Sequence, residues 1–242
     1  MGKLVIAQLS DIHVSEKDKI VNEVNLRDNY LQALNELKKH YFDILVISGD
    51  LALDVDDNPY EWIKRTLKGV NYAVIPGNHD DVNNFVKAFS FEKYYKNGSV
   101  FFSKKLNGYT LVFCDTSSEY LDLDRLQEEL DRNDDGSNVL IFMHHPPSLA
   151  NCTYMDSKYP LSNHLDTSSF LNQNERTNQV FCGHYHTSHF VQKEHFGISI
   201  APSTWFQIGK KATTFNIKHT NPGWTLIQVD GDKVTTETHF IK

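Results

Sequence analysis

The chain has few of the features that mark specialised protein classes. Its 242 residues include only three cysteines, at wide spacings and without the CxxC pair of a redox or zinc-ribbon motif. No apolar run approaches the roughly 18 residues of a membrane-spanning helix. No low-complexity or Pro/Gly/Ser-rich stretch marks a domain boundary. Because 40% of the residues are hydrophobic, we expect residues 1–242 to form a single domain with a sizeable core.

Cationic residues are also scarce. The chain has 24 Lys and Arg against 31 Asp and Glu, which gives a formal net charge of −7. Broad affinity for nucleic acid depends on clusters of Lys and Arg that neutralise phosphates. The composition therefore argues against a nucleic-acid polymer as partner, and against a nuclease.

Two features bear on the cellular compartment. The odd number of cysteines, Cys114, Cys152 and Cys182, is typical of a reducing environment. Residues 1–3 lead directly into the strand-like run at 4–7, so we expect no signal peptide. We therefore predict a cytoplasmic protein that does not associate with membranes.

Apolar runs and helical patterns alternate along the chain. Runs at 4–9 and 44–47 flank a segment, 26–37, in which apolar residues recur at three- and four-residue steps. This order predicts a βαβ unit with parallel strands and a right-handed crossover. Similar patterns predict helices at 59–67 and 121–130, strands at 72–75, 100–103, 110–113, 139–143, 180–182 and 198–201, a terminal hairpin at 225–229 and 234–240, and a polar loop at 148–165. We expect an α/β fold with mixed sheets and helices outside.

Polar side chains stand where six of these runs end. Ligands of open α/β sheets bind outside the carboxyl ends of the parallel strands, so side chains from several such ends can meet in one crevice. The segments are Asp11-Ile12-His13, Gly49-Asp50, Gly77-Asn78-His79-Asp80, Asp115, His144-His145 and Gly183-His184-Tyr185-His186.

The residue types in these segments indicate metal binding. In Asp11-Ile12-His13 and His184-Tyr185-His186, the two outer residues are two positions apart. If the backbone there is extended, their side chains point to the same side. Glycines before Asp50, Asn78 and His184 allow tight turns and a close approach of the backbone to a metal or phosphate. Carboxylate, amide and imidazole ligands without thiolate suit Zn, Mn, Fe or Co better than Ca or Mg. We therefore expect a pair of metal ions.

Each residue alone has a simpler interpretation. An Asp after a strand usually caps a helix or forms a turn, and we keep that interpretation for Asp115. A coincidence is much harder to accept for seven residues together: Asp11, His13, Asp50, Asn78, His144, His184 and His186.

The ordered motifs DxH, GD, GNHD, a lone His and GHxH resemble those of the calcineurin-like metallophosphoesterase family, and they extend from residue 11 to 186. This resemblance implies a four-layer αββα sandwich of two mixed sheets flanked by helices. It also implies one metal ion on Asp11, His13 and His186, another on Asn78, His144 and His184, and Asp50 bridging both.

The resemblance further implies catalytic roles for two residues. His79 would contact the phosphate or protonate the leaving oxygen, and Asp80 would orient His79. His144 is chosen over His145 as the ligand because it follows the strand directly and precedes Pro146 by two residues, which leaves His145 as a neighbour in the pocket.

Gly49-Asp50-Leu51 and His144-His145-Pro146-Pro147 look closest to the bacterial class III cyclic nucleotide phosphodiesterases. The implied reaction is hydrolysis of a small phosphodiester such as 3′,5′-cyclic AMP by a metal-bridging hydroxide, with substrate choice made in the 148–165 segment. The alternatives are a phosphomonoesterase or another small-molecule phosphate or pyrophosphate hydrolase, and a non-enzymatic protein-binding scaffold, which would be expected to have lost ligands. A homodimer is left open.

Overall fold

The computed structural model describes residues 2–174 and 176–242, which hold six α-helices, one short 3₁₀ helix at Glu92–Tyr94 and sixteen strands. In that part of the chain, no helix is long and apolar enough to cross a membrane. The helices are α1 (Leu26–Leu37), α2 (Tyr60–Thr66), α3 (Val82–Phe89), α4 (Leu123–Arg132), α5 (Thr153–Lys158) and α6 (His164–Gln173).

Most strands belong to two large mixed sheets. In chain order the strands are β1 (Leu4–Leu9), β2 (Ile20–Val21), β3 (Val24–Asn25), β4 (Ile44–Ser48), β5 (Tyr72–Ile75), β6 (Tyr95–Lys96), β7 (Ser99–Leu106), β8 (Tyr109–Cys114), β9 (Asn138–Met143), β10 (Thr177–Cys182), β11 (His189–Gln192), β12 (Gly197–Ile200), β13 (Gln207–Ile208), β14 (Ile217–His219), β15 (Gly223–Asp230) and β16 (Lys233–Phe240). The first sheet has the order β16-β15-β1-β4-β5, and the second β11-β12-β10-β9-β8-β7-β6. Strands β2 and β3, and β13 and β14, form small separate pairs.

Each large sheet combines parallel and antiparallel pairs. In the first sheet β1, β4 and β5 are parallel, and the hairpin of β15 and β16 is added antiparallel to β1. In the second sheet β8, β9, β10 and β12 are parallel, while β7 and β11 are antiparallel additions. The carboxyl ends of both parallel sets carry the predicted site segments.

The second sheet has an apolar face on each side. Phe102, Phe113, Phe142 and Phe181, from four neighbouring strands, stack with ring centroids 4.6, 5.4 and 4.9 Å apart and pack in one core with β1, β4 and α1–α3. The alternate residues, such as Val112 and Ile141, pack in a second core with α4 and α6. This period-two alternation produces four layers and confirms the predicted αββα sandwich.

The predicted elements are largely confirmed. The βαβ unit of β1, α1 and β4 is parallel, and Asn25 caps α1 by accepting from the N–H groups of Arg27 and Asp28. The predicted polar loop at 148–165 is wrong, because it contains α5 and the beginning of α6. Helix α5 has six residues and buries only Met155, so it carries no apolar period that could reveal it. Its shortness explains the failure.

Candidate metal centre

The predicted metal ligands of both sheets converge at one place. Asp11 follows β1, Asp50 follows β4, and His144 and His184 follow β9 and β10 of the other sheet. His144 Nε2 lies 3.2 Å from Asp50 Oδ1 and 4.0 Å from Asp11 Oδ1. The site therefore lies at the shared edge of two sheets, rather than in the crevice of a single sheet.

Three groups of side chains bring possible ligand atoms within 4.8 Å of one another. Asp50 belongs to two of these groups, and so does His13. The groups are Asp11, His13 and His186; His13, Asp50 and His79; and Asp50, His144 and His184. These acidic and imidazole side chains could hold metal ions.

Asp115 lies outside these groups and has a structural role. Its carboxylate accepts from the backbone N–H groups of Val100 at 2.9 Å and of Ser117 at 2.8 Å. This turn geometry matches the interpretation kept for Asp115 in the sequence.

Five of the seven predicted ligands lie in left-handed turns, so Asp11 to His13 and His184 to His186 do not have the extended backbone on which the expected orientation depended. The φ angles are 51° at Asp11, 45° at His13, 49° at Asp50, 66° at His184 and 47° at His186. Non-glycine residues in this conformation cost about 1–3 kcal/mol each and persist only where the surroundings hold them. Here the backbone N–H of His13 donates to the Asp50 carbonyl at 3.0 Å, and that of His184 donates to the Asp11 carboxylate at 3.0 Å.

Three histidines are oriented by backbone carbonyls. A carbonyl only accepts, so the bonded ring nitrogen carries a proton, and the other ring nitrogen is the one available to a metal ion. The pairs are His144 Nδ1 with Ser48 at 2.9 Å, His184 Nε2 with Tyr159 at 2.9 Å and His186 Nδ1 with Phe206 at 3.1 Å. Metal-binding histidines typically have such an arrangement.

Three buried atoms of the cluster have no hydrogen-bond partner among the described residues: His13 Nδ1, Asn78 Oδ1 and His144 Nε2. The Nε2 atoms of His13 and His186 also face each other at 3.1 Å. Leaving buried acceptors unsatisfied costs about 1–3 kcal/mol each. A metal cation would satisfy the lone pairs that face the cluster, so the donor set fits first-row divalent metals.

The pKa values of the clustered side chains also favour metal binding. Burial lowers the pKa of His13 and of His184 to about 3, so both imidazoles are neutral and able to bind metal. Burial, with the nearby Asp50 carboxylate, raises the pKa of Asp11 to about 7. His144 is the exception: burial lowers its pKa, but Asp50 outweighs this and raises it to about 9. Without a metal, an imidazolium at His144 thus partly compensates the two buried carboxylates.

His79 is half-buried beside this cluster. Its Nδ1–H donates to the Leu53 carbonyl at 2.9 Å, and its backbone N–H donates to Asp50 Oδ1 at 3.0 Å. The Leu53 bond leaves Nε2 free to hold or give a proton.

The predicted orientation of His79 by Asp80 is wrong, because Leu53 makes that contact. Asp80 instead ties two ligand loops together. One carboxylate oxygen accepts from Leu51 N–H at 3.0 Å and Gly77 N–H at 2.8 Å. The other accepts from Ala52 N–H and Tyr60 O–H. Burial and nearby Asp50 raise the pKa of Asp80 to about 6, while the backbone bonds oppose this rise.

His145 is buried next to the cluster without joining any of the three groups. Its Nδ1 lies 3.0 Å from Thr116 Oγ1, and its ring centroid lies 4.1 Å from that of His184. It packs against the cluster, as expected for a neighbour.

A cavity of about 230 Å³, the site cavity, opens onto the cluster. Its apolar side was not anticipated, because aromatic residues in short helices and loops carry no periodic pattern. The polar lining is Asp50, Asn78, His79, His184 and His186, and the other lining residues are Tyr154, Met155, Tyr159, Phe206, Ile208 and Phe215.

Comparison with known proteins agrees with this geometry. Residues 4–188 match the family model of the calcineurin-like phosphoesterases. The chain belongs to this family. It is therefore a metal-dependent phosphoric ester hydrolase, as the motifs predicted.

Individual relatives of this phosphoesterase support the same assignment. A Fibrobacter succinogenes protein named "probable cyclic nucleotide phosphodiesterase" is 32% identical over 98% of this chain and 94% of its own length. The Escherichia coli K12 3′,5′-cyclic adenosine monophosphate phosphodiesterase CpdA is 24% identical over 98% of this chain and 90% of its own. A dimetal phosphatase from Danio rerio shares the fold, with a TM-score of 0.65 at 12% identity over 97% of this chain and 95% of that one.

Asp80→Asn should destabilise this phosphoesterase by about 2–4 kcal/mol, because an NH₂ group would face buried N–H donors that the carboxylate now satisfies. Urea unfolding measures the loss. Asp81→Asn is the matched control, since Asp81 caps α3 through Asn84 N–H and Asn caps equally well. Equal stability of the two variants would contradict the role given to Asp80.

Proposed function

We propose that the chain is a dinuclear phosphodiesterase that hydrolyses a small diester, with a 3′,5′-cyclic nucleotide such as cyclic AMP as substrate. The observation that carries this proposal is the set of ligand groups sharing Asp50, with histidines held by carbonyls. The relatives named as cyclic nucleotide phosphodiesterases support the choice of substrate.

In this proposal each metal ion has three ligands of its own. The sets are Asp11, His13 and His186 for one ion and Asn78, His144 and His184 for the other, with Asp50 shared. The grouping of these carboxylates and imidazoles supports the assignment, and the unpartnered Asn78 Oδ1 supports the amide ligand. Zn, Mn, Fe and Co all suit such a set.

Bound metal ions of this kind polarise the phosphate and lower the pKa of water. The chain itself supplies two further functions. The Asn78 NH₂ group can donate to a phosphate oxygen while its carbonyl oxygen is used as a ligand. His79 Nε2 can give a proton to the leaving oxygen, because Leu53 holds the ring by Nδ1.

The lining of the site cavity favours a diester. Among the described residues that line it there is no Lys or Arg. No cationic side chain is therefore present to neutralise the additional negative charge of a monoester or pyrophosphate. Those esters remain the second candidate. The scaffold alternative is disfavoured because every ligand position is filled. Three free, buried cysteines support the proposed cytoplasmic setting.

The function is tested by comparing hydrolysis of cyclic AMP, bis-p-nitrophenyl phosphate and p-nitrophenyl phosphate by one manganese-loaded sample of measured metal content. We expect the highest kcat/KM for cyclic AMP and the lowest for the monoester. A higher kcat/KM for the monoester would favour the second candidate. If none of the three substrates were hydrolysed, the non-enzymatic scaffold would become the favoured hypothesis.

Asp50→Asn should reduce the metal content from about two equivalents to one or none, because an amide bridges two cations poorly. Metal analysis after dialysis measures this loss. Asp115→Asn is the matched control: it is also a buried Asp after a strand, and it should keep both metals. Full metal content in Asp50→Asn would refute the bridging role.

His79→Ala should keep its metals but lose about 10²–10⁴-fold in kcat, the usual contribution of general acid catalysis. The loss should be smallest for bis-p-nitrophenyl phosphate, whose leaving group needs no proton. Full activity on cyclic AMP in a metal-loaded His79→Ala protein would remove His79 from the mechanism.

A further inference from the structure

One side of the site cavity is formed by four aromatic residues, which we call the aromatic wall: Tyr154, Tyr159, Phe206 and Phe215. Tyr154 and Tyr159 belong to α5 and its carboxyl end, and the two phenylalanines lie near β13 and β14. The ring of Tyr154 lies 6.2 Å from that of Phe215 and 5.9 Å from that of Tyr159. Segments distant in sequence thus build one continuous surface.

The aromatic wall extends from the metal cluster to the solvent. Phe206 is buried, and its ring centroid lies 4.5 Å from that of His186 and 5.7 Å from that of Phe215. At the outer end, Phe215 is 53% exposed and Tyr159 is 50% exposed. A single exposed aromatic residue is ordinary. Two that flank the same cavity, joined through Phe206 to the candidate metal ligand His186, form an apolar surface that continues outward from the place where a phosphate would bind.

The chemistry of the aromatic wall selects among substituents on that phosphate. Aromatic faces bind planar bases by stacking, whatever the base. They can also bind quaternary ammonium groups, as in choline, when several rings enclose the cation. Here the outer rings are open to solvent, and Asp50 is the only carboxylate among the described lining residues. An open aromatic surface without added negative charge favours a neutral planar ring over an ammonium.

We propose that Tyr154 and Phe215 form the subsite for the planar base of the ester and so determine its specificity. This inference rests on the proposed phosphodiesterase function. The metal cluster binds the phosphate of any ester, whereas the two rings bind the base and select nucleotides over small diesters without a ring.

The test compares ligands with and without a base on manganese-loaded protein. Calorimetry gives the dissociation constants of AMP, inorganic phosphate and glycerophosphocholine for the wild type, Phe215→Leu and Tyr154→Leu. We expect AMP to bind about tenfold more weakly to each variant. Phosphate should bind within about twofold of wild type, since both substitutions keep an apolar side chain and leave the ligands untouched.

Phe190→Leu is the matched control, because Phe190 is 48% exposed and does not line the site cavity. It should change none of the constants. For cyclic AMP hydrolysis, the two subsite variants should raise KM about tenfold and leave kcat within about threefold.

Three outcomes would overturn the proposal: an unchanged affinity for AMP, an equal loss for AMP and phosphate, or a loss confined to glycerophosphocholine. The last would mean that the rings hold an ammonium. If the wild type hydrolysed no diester, the proposed function would fail. A selective loss of AMP affinity would then still establish the subsite, so the two failures are distinguishable.

Discussion

The buried carboxylate of Asp50 is the group on which the rest of the site depends. Oδ1 accepts the backbone N–H of His79 at 3.0 Å and lies 3.2 Å from His144 Nε2. Oδ2 lies 3.6 Å from His13 Nε2. One side chain thus contacts segments that follow β1, β5 and β9, from both large sheets. Gly77 leaves room for it, since a Cβ there would be 2.9 Å from Asp50 Cγ and closer still to its Oδ1.

The contact between the two sheets is made by the same residues that form the candidate metal site. The His184 N–H donates to Asp11, and Gln8 Nε2 donates to Ser48 Oγ at 2.8 Å and to the Cys182 carbonyl at 3.1 Å. A Cβ at Gly183 would lie 2.6 Å from Asp11 Oδ2. The sheets therefore approach so closely at this edge that only glycine fits. A cation bound here would hold both sheets together as well as the phosphate, and its removal would leave the carboxylates of Asp11 and Asp50 buried together with only the His144 imidazolium to compensate them.

The sequence predicted the parts of the site that depend on strand order, and not those that depend on turns or short elements. Asp11 and His184 could be placed because apolar runs locate strand ends, and parallel strands bring those ends to one edge. Their left-handed backbone conformation could not be predicted, because it is imposed by contacts between loops. Asp80 illustrates the same limit: its partners Leu51 and Tyr60 are 29 and 20 residues away, and no local pattern encodes them.

The aromatic wall shows why specificity is harder to predict than chemistry. A metal ligand needs a particular atom in a particular place, so its residue type is restricted and its motif is visible. A stacking surface needs only a flat apolar face, which Tyr154 and Phe215 supply from a six-residue helix and from a loop near β14. Many different sequences satisfy that requirement, and none of them has a recognisable periodic pattern of residues. The same physical tolerance would allow the substrate ester to change between relatives while the candidate ligands at the strand ends stay in place.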